Sequence, residues 1–151
     1  MNVLISACLL GTPCRYDGKS KQVSGIEQLM RECHLIPVCP EIFGGLATPR
    51  TPAERREGLV VTKDGRDVTA EYEWGAMEVL RLARMFDCEA AVLKEKSPSC
   101  GKGKIYDGSF TGTLTKGNGV CAQLLEKNGI SVLGESEISA FIAKMRKTKK
   151  D

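Results

Sequence analysis

Ala90-Ala91-Val92-Leu93-Lys94-Glu95-Lys96-Ser97-Pro98-Ser99-Cys100-Gly101 is the stretch that decides how this chain folds. Four apolar residues without polar alternation predict a strand buried on both faces, as strands of parallel sheets are. A turn of small residues follows and delivers a cysteine. Two earlier segments repeat the pattern: Asn2-Val3-Leu4-Ile5-Ser6-Ala7 runs into Cys8, and Leu35-Ile36-Pro37-Val38 runs into Cys39. In a parallel sheet the strand ends share one edge, and ligands of open α/β sheets bind outside that edge. Three cysteines are therefore expected along the ligand-binding edge.

The segments between these strands carry helical spacing. Ile26, Leu29, Met30 and Cys33 recur at i, i+3, i+4 and i+7. A helix is expected over about residues 70–88, N-capped by Thr69, with Trp74, Met77, Leu80, Leu82, Met85 and Phe86 packed on the sheet and Gly75 allowing a close helix approach. A further helix is expected over about 117–126, ended by Asn128-Gly129, then a strand Ile130–Gly134 and a last helix from Ser136. Strands alternating with helices predict an α/β fold, a mostly parallel Rossmann-like sheet with helices on both faces. Asp64-Gly65 between Leu59-Val60-Val61-Thr62 and Arg66-Asp67-Val68-Thr69 predicts a small β-hairpin insertion. Pro40 is expected to stop regular structure and open a long loop to Gly58, and 101–113 reads as a glycine-rich lid.

With 151 residues, 42% hydrophobic and 27% charged, the chain is expected to form one soluble α/β domain over 1–143, with 144–151 a frayed basic tail holding much of the net charge of +3. No apolar run reaches the roughly 18 residues of a membrane span, and no signal peptide is visible. A cytoplasmic location is expected, with no membrane partner, and there seven cysteines do not read as a disulfide framework.

The cysteines sort by context. Cys33, Cys88 and Cys121 fall at core positions of helices; Cys8, Cys39 and Cys100 follow strands in loops; Cys14 is left open. Converging thiolates hold zinc or an iron–sulfur cluster, or work as a redox pair. The single histidine, His34, lies at the far end of its strand from Cys39, so it is no fellow ligand. An all-sulfur site favours iron–sulfur over catalytic zinc. Glu41 and Ser97 stand beside this edge as proton-handling candidates. Arg15, Asp17, Arg50 and Glu54 are expected to tie the long loops together by ion pairs. Aromatic residues, at 5%, are too sparse for base stacking, which argues against nucleic acid as partner.

Ser6-Ala7-Cys8-Leu9-Leu10-Gly11 with Arg15-Tyr16-Asp17-Gly18, Cys39-Pro40-Glu41 with Gly44-Gly45-Leu46, Pro49-Arg50-Thr51-Pro52-Ala53-Glu54, and Lys96-Ser97-Pro98-Ser99-Cys100-Gly101 together resemble the thiouracil desulfidase family of short bacterial proteins. The resemblance runs over essentially the whole chain. It implies a 4Fe–4S cluster held by Cys8, Cys39 and Cys100 alone, with the fourth iron open to a thiocarbonyl sulfur. It implies Glu41 and Ser97 in catalysis and proton transfer. The implied reaction is non-redox: thiouracil, or a related thiolated pyrimidine or thioamide, plus water gives the oxo compound and hydrogen sulfide. The residues themselves also admit a non-catalytic accessory module that holds a cluster or zinc.

Overall fold

The structure, a computed structural model, describes residues 1–150. Strand β1 (Asn2–Ser6) ends in one 3-10 turn, Ala7–Leu9, and helix α1 (Ile26–Glu32) leads to β2 (His34–Val38). A short α2 (Pro40–Phe43), strands β3 (Ala53–Arg56) and β4 (Leu59–Thr62), and the long α3 (Thr69–Met85) follow. Then come β5 (Ala90–Leu93), β6 (Lys104–Tyr106), β7 (Leu114–Lys116), α4 (Val120–Lys127), β8 (Ser131–Gly134) and α5 (Ile138–Lys150).

The main sheet has the order β2-β1-β5-β8, and all its neighbours are parallel. Side chains alternate across it. Val3, Ile5, Ala90 and Val92 pack under α1 and α5 with Ile26, Leu29, Ile138 and Ile142. Leu4, Ala91, Leu93 and Val132 pack under α3 and α4 with Val79, Leu80, Cys121 and Leu125. This is the α/β sheet with helices on both faces that the apolar runs predict. Pro37 sits in β2, an edge strand, where a missing N–H costs no ladder bond on the outer side. The chain leaves β1 toward β2 on one side and returns to β5 on the other. The crevice between β1 and β5 is thus the topological switch point.

Several expectations change. Pro40 does not stop regular structure; it occupies the first turn of α2, where its preset φ suits a helix and its missing N–H is no loss. Ala53–Arg56, expected as loop, is a strand paired with β4 across a Glu57-Gly58 turn. The Asp64-Gly65 turn also forms, but 66–69 contributes only a bridge, Val61 to Asp67, and not a second hairpin strand. Residues 101–113 are no simple lid: β6 and β7 make a second antiparallel hairpin. Thr69 does not cap α3 with its own side chain; Asp67 Oδ1 accepts from the Thr69 N–H at 2.9 Å, and Thr69 Oγ1 accepts from Val60 N. Helix α5 runs on through the basic segment, with Met145 buried and Arg146 and Lys149 paired to Glu32.

The largest change concerns α3. Its buried face is Tyr72, Gly75, Ala76, Val79, Leu80 and Ala83, whereas Trp74, Met77, Met85 and Phe86 are exposed. Small residues face inward because α2 crosses α3 at backbone contact. A Cβ on Gly75 would collide with the Pro40 carbonyl, and one on Gly44 with the Glu71 carbonyl. The close approach expected of Gly75 is therefore realised. Gly75→Ala must push α2 away; overpacking costs about 1–3 kcal/mol, more than the ~1 kcal/mol that alanine returns in helix propensity. We expect a net fall in urea stability of about 1 kcal/mol, or a few degrees in melting temperature, by equilibrium unfolding.

Candidate metal centre and active site

A cavity of about 500 Å³ opens at the C-terminal ends of β1, β2 and β5, lined among others by Cys8, Cys14, Cys39, Glu41, Ser97 and Cys100. Each of the three expected cysteines is placed by the end of a different strand. Cys8 lies in the 3-10 turn after β1. Cys39 follows β2 as the N-cap of α2. Cys100 closes the turn after β5. In that turn Ser97 Oγ accepts from the Ser99 and Cys100 amides at 3.1 Å each, and the Ser97 carbonyl accepts from Gly101 N at 2.9 Å. The same turn supplies α4 with its N-terminal acceptors. Pro98 O and Ser99 O take the Val120 and Cys121 amides at 2.9 and 2.8 Å, so that helix needs no side-chain cap.

Ser6 ties the crevice together. Its buried hydroxyl accepts from Lys94 N at 2.9 Å and donates to Cys100 Sγ at 3.4 Å. Burial pushes the Cys100 thiol up to about 12, against the hydrogen bond from Ser6 that favours its thiolate. Burial likewise pushes Cys8 up to about 11, and the neighbouring Cys39 adds to it. Cys14, which sequence spacing left open, enters the cavity, and Cys39 Sγ stands 3.9 Å from its carbonyl oxygen. The Cys14 thiol beside it and the Ile42 amide hold Cys39 below the usual thiol range, and the same pairing raises Cys14.

Cys8 and Cys100 therefore keep their protons above pH 9.0, where thiols of an unfolded chain ionise. A folded-state pKa above the unfolded value stabilises the fold below the unfolded pKa, and that contribution drains away as pH climbs through the folded one. For the metal-free chain we expect the urea midpoint to fall between pH 9.0 and about 11, with Cys8→Ala showing a shallower fall.

Glu41 lies on the first turn of α2, two residues past Cys39. Arg50 Nε donates to its Oε1 at 3.1 Å with Nη2 in ion-pair contact with the same oxygen, and Tyr72 donates its hydroxyl to it at 2.9 Å. Ser99 donates to Oε2 at 2.9 Å. Ser99 has a single proton, and Cys100 Sγ is farther off at 3.5 Å. With that proton committed to Glu41, the 3.0 Å contact between Ser97 and Ser99 hydroxyls runs as a donation from Ser97. The result is a polarised line, Ser97 O–H to Ser99 O–H to Glu41 Oε2, beside the Cys100 sulfur. Tyr72 is buried against this carboxylate, and both burial and the Glu41 charge raise its phenol.

The other sequence candidates have structural duties. Arg50 also donates to Cys14 O at 2.9 Å, joining the first loop to the second. Glu54 Oε1 accepts from Gly108 N and Phe110 N, tying β3 to the β6–β7 hairpin, so its partner is backbone and not a cation. Asp17 turns its own loop through Lys19 N at 3.0 Å. Arg15 lines the cavity. His34 is exposed at the far end of β2, and Cys33, Cys88 and Cys121 are buried in the two cores. Tyr72 and Ser99 were not singled out from sequence. Tyr72 begins the small-residue stripe of α3, and Ser99 lies between two residues that were.

Among the described residues no three His, Cys, Asp or Glu side chains stand close enough to hold one metal ion. A single tetrahedral zinc with bonds of about 2.3 Å needs its sulfurs about 3.8 Å apart. A cubane cluster places each ligand sulfur on a separate iron and spreads them farther. Three thiols brought by three strand ends to one cavity of about 500 Å³ are the soft donor set that an iron–sulfur cluster takes.

A family model described as 2-thiouracil desulfurase matches residues 3–137. The Bacillus subtilis (strain 168) protein YbbK, described as uncharacterized, is 41% identical over 150 residues, covering 93% of this chain and 99% of that protein. A solved structure of a [4Fe-4S]-dependent thiouracil desulfidase, TudS, is 44% identical with a TM-score of 0.90, over 96% of this chain and 97% of that one. A match that begins in β1 and runs past β8, taking in all three cysteine-bearing strand ends, means that the chain belongs to the 2-thiouracil desulfurase family.

Proposed function

We propose that this chain is a 4Fe–4S-dependent desulfidase that removes the sulfur of thiouracil, or of a related thiolated pyrimidine or thioamide, as hydrogen sulfide. The observation that carries the reading is the joining, at one cavity, of Cys8, Cys39 and Cys100 with a carboxylate whose free side opens onto a pair of hydroxyls. All seven cysteines are free, which suits a reducing cytoplasm. No helix among the described residues is long and apolar enough to cross a membrane.

A 4Fe–4S cluster held by Cys8, Cys39 and Cys100 would supply an open iron, a soft Lewis acid matched to a thiocarbonyl sulfur. The rest is proton handling. Water brings the oxygen that replaces sulfur on the ring carbon, and both its protons must end on the departing sulfide. Glu41 Oε1 is held by Arg50 and Tyr72, so Oε2 is the oxygen that takes a proton. Ser99 and Ser97 carry that proton between Oε2 and the cavity, each hydroxyl releasing one hydrogen as it receives another. No electrons are exchanged.

The test is anaerobic reconstitution followed by incubation with 2-thiouracil, reading uracil and sulfide together. A chain that holds a full cluster and releases sulfide from no thiolated pyrimidine or thioamide overturns the reading in favour of an accessory module. One smaller effect belongs here. Tyr72→Phe removes one of the donors on Oε1 and leaves Arg50. Hydrogen bonds to charged groups contribute about 1.5–3 kcal/mol, so kcat should fall roughly tenfold at unchanged KM and iron content.

A further inference from the structure

Helix α3 is apolar on two opposite sides, and only one is covered. Its inner side packs on the core and on α2. On its outer side Trp74 is 63% exposed and Met85 60%, with Met77 beside them at 56%. Surface helices normally present polar residues there, and isolated exposed apolar side chains need no explanation, but a row along one helix does. The outermost row is Trp74, Glu78, Arg81 and Met85, at steps of four, three and four, which is the spacing of a helix–helix seam. Its two ends are large and apolar. Its two middle positions carry opposite charges, already paired within the helix at 3.0 Å.

This row is its own complement when reversed. The midpoint between Trp74 and Met85 is also the midpoint between Glu78 and Arg81. Two copies laid antiparallel about that point bring Trp74 of each onto Met85 of the other, an aromatic ring against a thioether. They also bring Glu78 of each onto the partner's Arg81. A parallel pairing would set Glu78 against Glu78 and Arg81 against Arg81, so the charges select the antiparallel one. A closed twofold dimer requires such a self-complementary patch.

We propose that two copies of this chain pair about a twofold axis through the middle of α3, with Trp74 and Met85 as the apolar ends of the seam and the Glu78–Arg81 pairs exchanged between subunits at its centre. The pairing is independent of the proposed chemistry, since the cavity opens at the strand ends and none of the seam residues lines it. One helix against one helix is a small interface, so association is expected to depend on concentration.

The experiment is sedimentation velocity of the full chain over a concentration series, read beside tryptophan fluorescence; Trp74 is the only tryptophan. The mass should rise from 16.4 kDa toward twice that value, with the emission maximum moving to the blue over the same range. Glu78→Arg alone and Arg81→Glu alone each set like charges together and should weaken association at least tenfold. The double variant Glu78→Arg with Arg81→Glu should restore it. Trp74→Ser should leave a monomer with unchanged melting temperature. A chain that stays at 16.4 kDa up to roughly 0.5 mM, where even weak interfaces are populated, overturns the proposal. So does a dimer that survives both single charge reversals or Trp74→Ser.

Discussion

Glu41→Gln should lower desulfidation by roughly 10²–10⁴-fold, the usual range for a lost general acid–base group, while the reconstituted protein still holds about four irons per chain. The substitution changes few atoms and keeps the shape of α2. Its effect is electrical and directional. A carboxylate accepts on both oxygens, here from Arg50 and Tyr72 on one and Ser99 on the other. An amide can accept on one side only. With its oxygen toward Arg50 and Tyr72, its NH₂ faces the Ser99 hydroxyl, which must turn its proton elsewhere. The line of donation from Ser97 then has no terminus. Because Cys39 precedes α2 and keeps its backbone, cluster content should not follow activity down. The measurement pairs sulfide release with iron analysis on the same sample. Turnover within tenfold of the parent protein would remove Glu41 from the chemistry, and joint loss of iron and activity would make it a structural residue.

Cys100→Ala should abolish both the cluster and turnover, with iron after anaerobic reconstitution falling from about four per chain to near none. Cys100 is the most deeply set of the three thiols, 5% exposed, and its sulfur accepts from Ser6. That hydroxyl favours the thiolate against the cost of burial, an arrangement suited to a sulfur that must lose its proton to bind iron. Cys33→Ala, Cys88→Ala and Cys121→Ala serve as matched controls. Each removes a buried sulfur from one of the two cores and should leave iron loading intact. Cys100→Ala that keeps a full cluster would break the ligand set. Broad visible absorbance and iron analysis read the outcome without any assay of turnover.

The parallel sheet and its cysteine edge were legible in the sequence because strands buried on both faces leave runs such as Val3–Ile5 and Ala90–Leu93 that no amphipathic element imitates. The cysteines after those runs inherit their position from strand direction alone. The buried side of α3 was not legible. Weighing side chains by size favours Trp74, Met77 and Met85, but the crossing with α2 sets Gly75 at backbone contact with Pro40 and turns those large residues outward. Steric exclusion by a distant segment leaves no local trace. The β3–β4 hairpin was hidden because Ala53-Glu54-Arg55-Arg56 lacks β-branched residues and pairs through its backbone with the β-branched β4. Glu41 and Ser97 stand out in the sequence by their nearness to cysteines. Tyr72, 31 positions from Glu41, and Ser99, 58 positions from it, reach it only through the fold.

Cys39 and Glu41 ride on the same turn of a four-residue helix, and Ser97, Ser99 and Cys100 share one tight turn. Two of the three cavity sulfurs are thus carried on rigid cassettes, each with hydroxyl or carboxyl groups beside it, while Cys8 sits in the turn after β1. Arg15 and Tyr16, which also line the cavity, belong to a separate loop joined to the first cassette through Arg50. The spacing of Cys39 from Glu41 is set by a single turn of backbone and does not depend on what stands at 15 and 16. On the function proposed above, we expect Tyr16→Ala to change which thiolated rings are turned over while iron content holds, read by sulfide release across a series of thiolated pyrimidines.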